Sequence, residues 1–145
     1  MTSTTNPTFT ILKQATCPTL SQSGTIGYQI ALDDGDNILM ALASNSGTGF
    51  FCKAWIKLDH ALDTLEEFAI QYPLTSLALQ PLYPGTSINS WSFLMAVLLA
   101  EGLIEPLSDN KRRFQLCDPA PFRQQIEKLK AAHSDSPKGK DDQAA

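Results

Sequence analysis

Apolar residues recur at two different spacings along this chain, and the change from one to the other divides it. In "TIGYQIAL" (25–32), Ile26, Tyr28, Ile30 and Leu32 occupy every second position, as a half-buried strand requires. "DDGDN" (33–37) supplies residues that tolerate the positive φ of a tight turn, and "ILMALA" (38–43) runs back as a second strand. "TFTILKQA" (8–15) alternates weakly and predicts an edge strand, ended by Cys17-Pro18 and the Ser/Gln/Gly-rich stretch after it. "FFCKAWI" (50–56) predicts one more strand, with Phe50, Cys52, Ala54 and Ile56 on one face and Phe51 and Trp55 on the other.

From residue 58 the spacing becomes helical. Leu58, Ala61, Leu62, Leu65, Phe68 and Ala69 make one apolar stripe, with Asp59, His60, Asp63, Glu66 and Glu67 facing outward. Asp59 is the expected N-cap, and Pro73 follows the helix end. "TSLALQPLY" (75–83) predicts a short second helix, capped by Thr75 or Ser76 and limited by Pro81. "SINSWSFLMAVLLAEG" (87–102) predicts a third, capped by Ser87 or Asn89 and closed by Gly102. Trp91, Leu94, Met95 and Leu98 form its main stripe. Phe93, Val97 and Leu99 make it apolar on most sides, so it should be buried. A β-hairpin follows, "LIEPL" (103–107) and "RRFQLC" (112–117), and then a last amphipathic helix introduced by Pro119 and Pro121.

The order of three helices and a β-hairpin over residues 58–117 resembles a winged helix. In that family the third helix enters the DNA major groove and the hairpin is the wing. The expected fold class is therefore α+β: an N-terminal antiparallel β-meander (8–57), a winged-helix-like three-helix and hairpin unit (58–117) and a C-terminal helix (118–132). These make one domain, between a disordered N-terminus (1–7) and a disordered tail (133–145).

Charge changes this picture. Residues 58–105 carry six carboxylates and no Lys or Arg, whereas residues 106–130 carry six bases and three acids. The resemblance points to Asn89, Ser90 and Ser92 for base edges and to Lys111, Arg112 and Arg113 at the hairpin tip for phosphates. The acidic helices oppose that docking, because phosphate neutralisation supplies most non-specific DNA affinity. A protein partner, or self-association, suits the sequence better. Phe50, Phe51, Trp55 and Trp91 would then form the contact surface, with the acidic face and the basic residues Lys111, Arg112 and Arg113.

Other chemistry finds little footing. "SNSGTGFFCKAW" (44–55) has Gly47 and Gly49, but no GxGxxG pattern, and it leads into a predicted strand where a phosphate loop leads into a helix. Cys17, Cys52 and Cys117 lie far apart with only His60 and His133 as companions, so no metal site is expected, only reduced thiols. Asp59, Asp63, Glu66 and Glu67 sit on an outer helix face with no base and orienting group beside a nucleophile. The expectation is a non-enzymatic binding module without cofactor, a regulator or adaptor. The N-terminus has no charged, apolar leader, and the longest strongly apolar run, Phe93–Ala100, has eight residues against the roughly 20 of a membrane span. A cytoplasmic protein is expected.

Overall fold

Four strands form an antiparallel sheet in the order β1-β2-β3-β4: β1 Thr10–Pro18, β2 Thr25–Leu32, β3 Ile38–Asn45 and β4 Ile56–Lys57. The structure is a computed structural model that describes residues 9–46, 53–83, 88–109 and 113–135. The expected disordered segment 1–7 and most of the 133–145 tail lie outside them. So do Gly47, Gly49, Phe50, Phe51 and Cys52.

Ile26, Tyr28, Ile30 and Leu32 of β2 are all buried, as the alternation predicts, but Gly27 and Ala31 of the other face are buried too, so the strand is covered further than a half-buried one. The turn after it is held by Asp33, whose Oδ1 accepts from the backbone N–H of Gly35 (2.8 Å) and Asn37 (2.9 Å), with Asp36 at φ 62°. β1 is an edge strand, as expected, but it runs on through Cys17 to Pro18, which pairs with Thr25. Proline lacks an N–H, which an edge position tolerates. The strand expected at 50–56 is shorter where it is described. Residues 53–55 are irregular, and only Ile56 and Lys57 pair, with Met40 and Leu39. Trp55 packs against Phe9 instead.

α1 spans Leu58–Gln71, then a 3-10 helix Ser76–Leu82, α2 Ile88–Ala100, β5 Ile104–Pro106, β6 Phe114–Leu116 and α3 Ala120–Asp135. α1 begins one residue before the expected cap. Lys57 occupies the N-cap with no side-chain bond, and Asp59 sits in the first turn, where a carboxylate suits the positive end of the helix dipole. Leu58, Ala61, Leu62 and Leu65 face the core, Phe68 is half-buried and Ala69 is exposed, so the stripe outruns the body it packs on. Thr75 is the N-cap of the 3-10 helix, but again without a side-chain bond. α2 starts at Ile88, which places Asn89 in its first turn rather than at the cap.

α2 ends in a Schellman motif: Leu103 N–H donates to Leu98 O (2.9 Å) and Gly102 N–H to Leu99 O (3.1 Å), with Gly102 at φ +80°. β5 and β6 pair antiparallel, and Leu74, between α1 and the 3-10 helix, adds an antiparallel bridge to Phe114. α3 continues past the expected boundary at 132 to Asp135, with Phe122 and Ile126 buried and Leu129 half-buried. Arg123 of α3 pairs with Asp59 (2.7 Å) and Lys130 with Asp36 (3.2 Å), tying the last helix to α1 and to the β2–β3 turn.

One apolar cluster joins the two halves. α2 lies across β1, β2 and β3 on one side and against the 3-10 helix on another, and Phe93 to Leu98 are buried without interruption. No helix among the described residues is long and apolar enough to cross a membrane.

Candidate functional site

Of the described aromatic residues expected to meet a partner, Trp55 is the one the structure places in a pocket. Its ring meets that of Phe9 edge-on, with centroids 5.2 Å apart and planes at 73°. Leu39, Lys57 and the turn residues Asp33, Asp34 and Gly35 complete the walls around a volume of about 380 Å³. Two aromatic rings at nearly a right angle make an apolar corner, and the turn lays carboxylates along its rim.

That rim is fixed by local chemistry. Asp33 accepts from the backbone of Gly35 and Asn37 and from Asn37 Nδ2 (3.0 Å to Oδ2). These bonds, the one from the Asn37 backbone above all, hold the Asp33 carboxyl below the ordinary carboxylate range. Asp34 is exposed beside it. Periodicity marked Trp55 but not Phe9 or Leu39, because the pocket closes between the start of the chain and a turn distant in sequence.

The other expected residues are scattered. Trp91 is half-buried against the core cluster, away from solvent on most of its surface. Ser90 is fully buried. Asn89 and Ser92 line a separate, polar cleft of about 470 Å³, whose other walls are the β1–β2 turn (Thr19, Ser21, Ser23) and the end of β3. The three residues offered for base edges are thus split between the interior and a cleft that faces the sheet's own turns. Arg113 is exposed on the hairpin, and Lys111 and Arg112 lie outside the described residues, as do Phe50 and Phe51.

The interior holds one further cluster. Glu101, at the end of α2, accepts from Lys13 Nζ (2.8 Å) and from the Tyr28 hydroxyl. Burial, then the nearby Glu101 charge, pushes the Cys17 thiol up, so it is held protonated. Burial also raises the half-buried Cys117 thiol. Among the described residues no three His, Cys, Asp or Glu side chains gather as a metal site would need. No family model matches the chain, and comparison with curated proteins and with solved structures likewise finds no match.

Proposed function

We propose that the protein is a non-enzymatic binding module, a regulator or adaptor that works through protein–protein contact, with the Phe9–Trp55 pocket as its anchor point. The pocket carries this reading. Its volume, about 380 Å³, falls at the small end of ligand pockets and suits a large apolar side chain of a partner. Burying such a side chain contributes about 1.5–3 kcal/mol, and the edge-on rings offer it a rigid wall.

DNA binding through the basic hairpin is the second reading. The order α1, 3-10 helix, α2, hairpin, with Leu74 bridged to Phe114, favours a winged-helix-like unit, and Arg113 is exposed on the wing. The position of α2 weighs against it. A groove-reading helix has to present one face to the duplex, whereas α2 is covered by the sheet and the 3-10 helix. A wing alone would have to carry the contact.

A photo-crosslinking residue in place of the exposed Lys57 tests the first reading in the native host. A discrete protein adduct that disappears with Trp55→Ala is the expected result. Adducts only to nucleic acid, or protein adducts indifferent to Trp55, would overturn it.

A further inference from the structure

Ile70, Tyr72 and Leu77 are the exposed large hydrophobic residues among those described, at 80%, 58% and 51%. All three fall within one short stretch, the corner where α1 ends and the 3-10 helix begins. Of the three, Tyr72 lines a groove at this corner, and exposed apolar surface at a groove marks an interaction site more often than single scattered residues do. Phe68 and Tyr72, with ring centroids 5.2 Å apart, form one wall of a groove of about 230 Å³, closed opposite by Ala78 and Pro81 of the 3-10 helix. The apolar stripe of α1 runs past its own core here, which is why Ala69 is left exposed.

The charges that α1 brings to the corner have a single sign, while Arg113 of the hairpin stands next to Phe114, the bridge partner of Leu74. Helical spacing puts Ile70 one turn from Glu66 and two from Asp63, and Glu67 lines the groove. Asp63, Glu66 and Glu67 are all exposed, while Asp59 at the other end of the helix is already paired with Arg123. The last turn of α1 contains no basic residue, so the negative end of its dipole is not offset locally. No Lys or Arg occurs anywhere from residue 58 to 105.

We propose that this corner docks a basic, apolar segment of another protein, one that presents Lys or Arg side chains around a large hydrophobic residue. The hydrophobic residue fills the groove beside Phe68 and Tyr72, and its cationic neighbours meet Glu66, Glu67 and the carbonyl end of α1. The site goes beyond the Phe9–Trp55 pocket. The two lie near opposite ends of α1, which at 14 residues is about 20 Å long. Two separate surfaces are what an adaptor needs to bridge two partners.

The probe is a pair of fluorescently labelled helical peptides with identical leucine and tryptophan faces, one bearing lysines on its other face and one bearing glutamates. Anisotropy titrations with the full chain should show salt-sensitive binding of the lysine peptide only. Tyr72→Ser/Leu77→Ser and Glu66→Lys/Glu67→Lys, all at exposed positions with little cost to folding, should each weaken it by about tenfold or more. Trp55→Ala should leave it unchanged. Equal binding of both peptides, indifference to both double variants, or loss with Trp55→Ala alone would overturn the proposal. So would a concentration-dependent dimer, seen by sedimentation and abolished by Tyr72→Ser/Leu77→Ser, since a second copy would then be the occupant. None of these outcomes bears on the Lys57 crosslink, so the pocket stands or falls separately.

Discussion

Lys13 Nζ lies 2.8 Å from Glu101 Oε2, which fastens the edge strand β1 to the end of α2 across 88 positions of sequence. Lys13 sits just after an irregularity in the β1–β2 register, and the Glu101 side chain is 3% exposed. A carboxylate at this point is doubly disfavoured, by burial and by the negative end of the helix dipole. Two donors hold it there, Lys13 and Tyr28.

Removing only the cation should therefore be costly. Lys13→Met is expected to lower unfolding free energy by about 3 kcal/mol, the scale for stranding a buried charge. Lys13→Met/Glu101→Leu should cost much less than the two single changes added together. Urea unfolding of the four proteins measures the coupling. Simple additivity would mean that the pair contributes nothing as a pair.

Tyr28 predicts how stability depends on alkaline pH. Burial, then the hydrogen bond to Glu101, pushes its pKa well above the ordinary value of 10.0. Between that value and the raised one, the unfolded chain has lost the tyrosine proton and the folded chain has kept it. Stability from this group is complete below about pH 10 and declines as pH rises beyond it. Denaturation midpoints measured from pH 8 upward should show that decline in the wild type. It should be reduced in Tyr28→Phe, which at neutral pH loses the bond to Glu101 and about 1.5–3 kcal/mol.

Gly102 isolates backbone conformation from packing. Its φ is +80°, and an added Cβ would meet nothing within 4 Å. Gly102→Ala should cost about 1 kcal/mol from the left-handed conformation alone, and Gly102→Asn less, since asparagine tolerates that region better. Thermal melts of the two variants decide it. Equal losses would point to a contact rather than to the backbone.

Period-two and period-3.6 patterns made β2, β3, α1 and α2 legible because each of these elements buries one side or nearly all of itself. Gly102 and the Asp33 turn were legible for a different reason: their chemistry is local. The relationships that lie between elements left no such trace. Nothing near Lys13 in sequence marks Glu101, and nothing near Trp55 marks Phe9. The periodicity of α1 placed Phe68 and Ala69 in the core stripe, yet no pattern records where the body beneath a helix stops. The exposed corner at Ile70, Tyr72 and Leu77 arises from that limit. Among the described residues β4 is shorter than its pattern, with only Ile56 and Lys57 paired while the Trp55 ring meets Phe9.

DNA affinity gives the sharpest test of the hairpin. Arg123 and Lys130 are engaged with Asp59 and Asp36, which leaves Arg113 and Lys128 among the described bases of residues 106–130, with Lys111 and Arg112 outside the described residues. Each phosphate neutralised contributes about −0.9 to the slope of log affinity against log salt, and three wing contacts imply about −3. The six carboxylates of residues 58–105 oppose even that. The isolated protein should show no detectable binding to random duplex DNA near physiological salt in a gel-shift titration. Micromolar binding with a slope steeper than about −5 would mean that more of the surface meets DNA than the wing. If Arg112→Glu/Arg113→Glu then abolished it, the DNA reading would displace the protein-partner one despite the burial of α2.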